Sequence, residues 1–489
     1  MAARRHLALL LLAAACARPP VGGSPPPAPG GVAPAIDTIG LRADTWFLAH
    51  DRLRGRDTGS SGAELAGQYI ASRCLALGLE VHELPVPLVE SHAVASGTAV
   101  TVAGQAFEPG RDFILTSGTA RALRGFDAVP VWVGGTDDLV DTLGLPPLEG
   151  RVALTAGPVR PDAAAALTAL GAVGMIHLLS EPAMFDVHRL RRGAAMLHLA
   201  DPEVRSSFHP DLPAIIAHPD LSRALAIAAR EGRRVVHTVR TRTDRVPGVN
   251  IACALPGHDH ARRDRWIGYT AHYDHLGVGP PDAQGDSIYN GFSDNAVGVA
   301  MLLGIADAMR STTERSLRHS VVFLFFTGEE RGLLGSDYYV HAPLVPLDRM
   351  AAVINLDAGA PPARVWSWRI AGGDDHWLGE VARKVAARRG WAATTSPATP
   401  NSDYFPFARM GVPAVFLIPG PAPYEGLSAD SSQALRQRWD RYHHPADEWH
   451  ADFPFAGLER YAEYALLLGL AVDGAEDGRR TAGDGRRSR

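Results

Sequence analysis

Cysteine is scarce in this chain. Only Cys16, Cys74 and Cys253 occur in 489 residues, and their wide separation excludes a zinc-finger cluster or a dense disulfide framework. A Cys74–Cys253 bridge stays open for an exported chain, beside the reading of two free buried thiols. An excess of charge is also missing. The formal net charge is −5, which excludes the basic footprint of a nucleic-acid binder and the acidic composition of a solvating chain. Long apolar runs are lacking as well. Residues 7–15 form a short one, below the roughly 20 residues a membrane-spanning helix needs, and no later segment reads as a span. No internal repeat is visible.

What is present fits a soluble globular protein: 46% hydrophobic and 21% charged residues. The length exceeds what one compact core usually holds, so two folded units are expected. The N-terminus reads as an export signal over residues 1–16, with Arg4 and Arg5 before the apolar run and Ala13, Ala14 and Ala15 leading into Cys16. Two readings stand. Either Cys16 carries a lipid anchor, although Ala13 stands where such signals usually have Leu, or an ordinary signal peptide is cleaved at the Ala-rich site. Residues 17–34 are a Pro/Gly-rich tether. The chain is thus expected outside the cytoplasm, as an envelope lipoprotein or a secreted or periplasmic protein.

An amphipathic helix is expected over 64–77, after the turn Gly59-Ser60-Ser61-Gly62. Near Ser91 the pattern changes to short strand-like runs such as 129–133 and 151–154, with Pro130 suited to a sheet edge. A smaller inserted α/β-type domain is therefore assigned to 91–246. From Pro247 continuous apolar strands (266–271, 321–326, 351–356, 413–418) alternate with helices (296–309, 377–388). Strands apolar on both sides need cover on both faces. Residues 35–90 and 247–471 are accordingly expected to form one α/β domain: a three-layer mixed sheet between helices. A tail rich in Gly, Arg and Asp, 472–489, is expected to be disordered.

Five fragments carry potential chemistry, most of them near the carboxyl end of an expected strand, where open α/β sheets bind ligands. His272-Tyr273-Asp274-His275 offers an imidazole with a nearby carboxylate, Asp274, to fix its tautomer. Asp294 and Asn295 precede the apolar helix; either suits an N-cap, but a helix that apolar has a buried start, and a buried aspartate needs a partner. Glu329-Glu330 follows the buried strand 321–326 closely, whereas most such pairs lie on solvated helices. One carboxylate of a pair can bind metal while the other takes a proton. Asp357 and the Tyr442-His443-His444 run complete the set. Singly, each has a bland reading at least as good; their shared location is what groups them.

Taken together, these fragments give the sequence a form that resembles the co-catalytic di-zinc aminopeptidase family, which includes leucyl and broad-specificity aminopeptidases, glutamate carboxypeptidase and the glutaminyl cyclases. The resemblance rests on His272-Tyr273-Asp274, on Asn290-Gly291 through Asp294-Asn295 and Gly298, and on Gly328-Glu329-Glu330 with Gly335-Ser336. It extends to Asp357, to Ser402-Asp403-Tyr404 with Phe407, to Tyr442-His443, and upstream to Asp51-Arg52-Leu53-Arg54-Gly55-Arg56. Within 91–246, Leu148-Glu149-Gly150-Arg151-Val152 and Gly171-Ala172-Val173-Gly174 resemble a protease-associated domain. Phe292-Ser293 and Tyr404 depart from the usual residues at their positions, which bears on pocket shape. The resemblance implies two zinc ions: His272 and Asp357 on one, Glu330 and His443 on the other, and Asp294 bridging. It implies Glu329 as general base and Tyr442 as hydrogen-bond donor to the oxyanion, and it makes His444, at a position usually taken by Ser or Thr, a poorer ligand candidate than His443. Three ligand carboxylates, two divalent ions and one bridging hydroxide sum to neutrality, as a buried cluster requires.

The reading is a metallo-aminopeptidase acting on peptides with a free N-terminus. It expects no nucleic-acid partner, and membrane contact only through a lipid on Cys16. The alternatives are a one-zinc glutaminyl cyclase, a carboxypeptidase, for which no basic pocket is identifiable, and a metal-free binding module, which all five ligands argue against.

Overall fold

Strand-forming residues apolar on both sides build the centre of the computed structural model. It describes residues 35–474 except 117–118, 136–146, 157–160, 183, 186–194, 209–210 and 314–316. The expected signal and tether, 1–34, lie outside the described residues.

Eight strands form one mixed sheet: β1 Glu80–Pro85, β2 Val249–Leu255, β3 Trp266–His272, β4 Ser320–Phe326, β5 Met350–Asn355, β6 Ser367–Ala371, β7 Ala392–Ser396 and β8 Ala414–Pro419, in the order β1-β2-β4-β3-β5-β8-β6-β7. The neighbours β4, β3, β5 and β8 run parallel. β1 and β2 pair antiparallel, with Pro85 opposite Val249. Side chains alternate across the pleat. In β4, Val321, Phe323 and Phe325 join one core, while Val322, Leu324 and Phe326 join the other. All six are fully buried, each contributing about 1.5–3 kcal/mol through its side chain.

The first face is covered by helices α1 Thr38–Leu48, α2 Ser61–Ala76, α3 Val297–Thr313, α5 Trp377–Arg388 and α7 Ala456–Gly474; the second carries α4 Leu334–His341 and α6 Tyr404–Arg409. This is the expected three-layer α/β arrangement. By hydropathy alone Phe292–Ser311 is apolar enough to cross a membrane, contrary to the sequence reading, but 89% of its window is buried in the fold, which makes it a core helix. α7 runs on to Gly474, past the expected start of the tail at 472. Asp473 accounts for the extra turn, because its carboxylate accepts the backbone N–H of Arg318 and of His319.

Strands between Leu88 and Val246 form three further sheets of three, five and four strands. Pro130 begins a strand at the edge of the five-stranded sheet, where a missing N–H is tolerated. This region meets the main domain at α4, where buried Asp337 accepts both the N–H and the hydroxyl of Ser207.

Cys74 of α2 and Cys253 of β2 are disulfide-bonded and fully buried. The bond ties the N-terminal helices to the sheet. Replacing both with Ser is expected to lower unfolding free energy by about 2–5 kcal/mol. Denaturant titration checks this, and an unchanged midpoint would argue against the bridge.

Candidate active site at the carboxyl edge of the sheet

Three adjacent parallel strands end at one place, and each hands its chain to a loop bearing acidic or imidazole groups. His272 closes β3, Glu329 and Glu330 follow β4, and Asp357 follows β5. The chain passes from β3 to β4 on one side and later to β5 on the other, so the site sits where the strand order reverses.

Asp294 lies between two groups. Its Oδ1 is 3.2 Å from His272 Nε2, and its Oδ2 is 3.1 Å from His443 Nε2. His272 Nε2 also lies 2.9 Å from Asp357 Oδ1 and 3.9 Å from Glu329 Oε2. His443 Nε2 lies 3.1 Å from Glu330 Oε2. Two sets of donor atoms compact enough for a metal ion result: His275, Asp294, Glu330 and His443 in one, and His272, Glu329 and Asp357 in the other. All five expected ligands and Glu329 are thus brought together.

The donor set fits divalent cations. His443 Nε2 is buried and close to two carboxylates, yet it is hydrogen-bonded to neither. A buried imidazole nitrogen left unpaired beside two carboxylates is what a bound cation would satisfy. Imidazole and carboxylate donors together suit zinc.

Local structure explains how each group is held. Asn295 accepts the N–H of Gly298 and so caps α3, which leaves Asp294 free of the capping role. Gly291, at φ 58°, packs against the His275 ring, and a Cβ there would come within 2.6 Å of it. Asp447 accepts the N–H of Ser293 with both carboxylate oxygens. Ser402 donates to Asp357 Oδ2 and accepts from Asn355. Tyr404, fully buried, accepts the Thr399 N–H, so it braces the 399–404 loop. His444 is exposed, and its ring Nδ1 accepts the Ala446 N–H.

Asp274 does a different job from the expected one. His272 Nδ1 donates to the backbone carbonyl of Asp274 at 3.1 Å, whereas the nearest carboxylate oxygen is 3.7 Å away. A carbonyl can only accept, so it fixes the proton on Nδ1 and frees Nε2. The Asp274 carboxylate instead accepts from Glu329 N–H, Glu330 N–H and Thr58 Oγ1, which sets the Glu-Glu turn. His275 had no assigned role. Fully buried, it lies with Nδ1 2.6 Å from Glu330 Oε1, which orients the other oxygen toward His443. The only signal in sequence was its place beside a strand end.

Electrostatics follow from this crowding. Burial works to lower the His272 pKa, but Asp357 and Glu329 outweigh it and raise it well above the ordinary value. Burial likewise opposes protonation of His443, yet Asp294 and Glu330 bring its pKa up to about 9. Burial would raise Asp294, but the two imidazoles hold it well below the carboxylate range.

The fold is an α/β domain built on one mixed sheet, and its histidine–carboxylate groups are candidate metal ligands. Residues 250–468 match the model described as Peptidase family M28. A 161-residue stretch is 29% identical to aminopeptidase YwaD of Bacillus subtilis (strain 168), covering 31% of this chain and 31% of that protein. A 73-residue stretch is 41% identical to probable leucine aminopeptidase 2 of Aspergillus oryzae, covering 15% and 14%. The matches therefore span less than a third of these curated relatives' lengths. Among solved structures, an aminopeptidase from Aneurinibacillus sp. strain AM-1 superposes with a TM-score of 0.55 at 19% identity, over 90% of this chain and 94% of its own. A zinc aminopeptidase from Bacillus subtilis gives 0.52 at 19%, over 91% and 97%. These likenesses establish the fold.

Metal ligation needs neutral imidazole, and His443 in the metal-free protein keeps its proton up to about pH 9. Zinc affinity is therefore expected to rise with pH from about 7 to 9, by up to about tenfold per unit for each proton displaced. Chelator competition at stepped pH measures this. A flat profile would contradict the protonation scheme.

Proposed function

We propose that the chain is a zinc-dependent aminopeptidase that hydrolyses the first peptide bond of peptides with a free N-terminus. One observation carries the reading: Asp294 presents one carboxylate oxygen to each of two histidine-containing donor sets. In this reading His272 and Asp357 hold one ion, Glu330 and His443 hold the other, and Asp294 is shared.

Bound zinc supplies Lewis-acid polarisation of a carbonyl and lowers the pKa of water from 15.7 to about 7. The chain's own groups do the rest. Burial lifts the Glu329 carboxyl pKa well above its usual range; His272 opposes this, while Asp357, Glu330 and Asp403 reinforce it. A carboxylate so poised takes the proton of the attacking water and returns it to the leaving amine. Tyr442 stacks on His443 with ring centroids 3.7 Å apart. Tyr442 is 68% exposed, so desolvation acts only on the part of its ring that faces the site; with the carboxylates of Asp294, Glu330, Glu329 and Asp357 it raises the phenol pKa, and the protonated phenol can donate to the developing oxyanion. The second donor set, His272 with Asp357, supports this reading over a one-metal cyclase.

Export belongs to the proposal. The Cys74–Cys253 disulfide supports it, because such bonds persist in oxidising compartments.

Glu329→Gln is expected to lower kcat by about 100- to 10,000-fold while zinc content stays at the wild-type level. Retained turnover in that variant would remove Glu329 from the base role. A peptide beginning with Gln separates the neighbouring activity: released amino acid supports the aminopeptidase, and cyclised product refutes it.

A further inference from the structure

Arg56 is one of the largest fully buried side chains, 1% exposed, and it lies far upstream of every residue in the two donor sets. Its guanidinium spends its donors on backbone carbonyls. Nε donates to Tyr273 O at 2.8 Å, Nη1 to Leu48 O and to Asn290 O at 2.6 Å, and Nη2 to Gly291 O at 2.9 Å. Tyr273 adjoins His272, and Asn290 and Gly291 begin the loop that ends in Asp294. One planar cation thus spans two ligand loops.

Its neighbours reach the third. Asp57 accepts from Arg331 at 2.6 Å, one residue beyond Glu330. Thr58 donates to the Asp274 carboxylate that holds the Glu329 and Glu330 N–H groups. The Arg56 carbonyl accepts the His275 N–H, and His275 contacts Glu330. The chain is bent to allow this: Arg54, Gly55 and Arg56 all have positive φ, at 48°, 69° and 51°. For a residue with a Cβ that region costs about 1–2 kcal/mol. Gly55 fits because a Cβ there would meet the carbonyls of Gly277 and Tyr289 at 2.4 Å.

We infer that the tripeptide Arg56-Asp57-Thr58 is a positioning element for the metal centre, with Arg56 locking the His272 and Asp294 loops to each other and Thr58 setting the Glu329–Glu330 turn through Asp274. The inference rests on the two-metal reading above and assigns a role to residues outside the donor sets. Burial lowers the Arg56 pKa to about 10, against the pull of Asp274, Asp294, Asp447 and Glu330, so it stays cationic at neutral pH. Arg suits the task because its rigid fork reaches several acceptors at once. A Lys ammonium keeps the charge but gathers its donors at one point.

The test compares wild type with Arg56→Lys and Thr58→Val. Zinc stoichiometry and affinity are read by chelator competition, ligand geometry by the visible spectrum after cobalt substitution, and folding by thermal melts in excess chelator. Partners of metal ligands typically contribute 10–100-fold to metal affinity. Each variant is expected to bind zinc about 10–100-fold more weakly, with an altered cobalt spectrum, while its metal-free melt stays cooperative. Thr58→Val removes a single hydrogen bond, so it keeps the test decisive if Arg56→Lys fails to fold. Guanidinium ion added to Arg56→Ala is expected to restore part of the zinc affinity. Wild-type affinity and spectrum in Arg56→Lys and Thr58→Val, with only the melting temperature lowered, would overturn the positioning role alone. Failure of wild type to bind zinc would overturn the two-metal reading together with it.

Discussion

Five buried carboxylates, those of Asp274, Asp294, Glu329, Glu330 and Asp357, converge at one edge of the sheet, and their mutual repulsion is the constraint the surrounding structure answers. Charges at such separations interact by several kcal/mol even at an effective dielectric constant near 20. Within the chain the answer comes from His272, His275, His443 and Arg56, and from backbone N–H groups aimed at Asp274 and Asp447. In the two-metal reading, two divalent ions would offset the charge of the ligand carboxylates that these groups leave uncompensated. Asp274 and Glu329 are outside that set, and Arg56 offsets part of the remaining charge through its proximity to Asp274.

The fold and the site solve one problem together. Parallel strands with both faces covered leave only their ends accessible, so β3, β4 and β5 can deliver three loops to a single point. α3 is buried almost throughout, and its start must be capped from within; Asn295 does that, which releases the adjacent Asp294. Rigidity at this edge comes from side-chain-to-backbone hydrogen bonds, since loops have no ladder of their own.

Much of this was legible before any coordinates. The strands of the main sheet announce themselves because continuous apolar runs have few other stable uses, and α5 falls on the expected residues 377–388. The candidate donor residues were legible as a group, because carboxylates and imidazoles at strand ends are rarely idle. What stayed hidden depends on backbone direction. Asp274 stands two residues from His272, and spacing alone cannot tell that the carbonyl reaches the ring while the carboxylate turns to the Glu-Glu loop. Arg56 was visible as part of the Asp51–Arg56 motif but without a role, because only the three left-handed residues at 54–56 turn it inward. The last turn of α7 was lost to a composition resembling a tail, because its stabilisation comes from a distant partner, the 318–319 backbone.

The antiparallel pairing of β1 with β2 has a consequence for how this architecture tolerates change. Pro85 faces Val249, and the Val86 N–H donates to the Gly248 carbonyl, so the chain departs from the catalytic sheet and returns to it at a single hairpin. The segment between these ends is anchored a second time: Val86, Leu88, Leu199 and Val204 share a small core with Leu334 of α4. A strain applied to that segment is therefore passed to the sheet at two points, the β1–β2 pairing and the packing on α4, and not through one flexible joint.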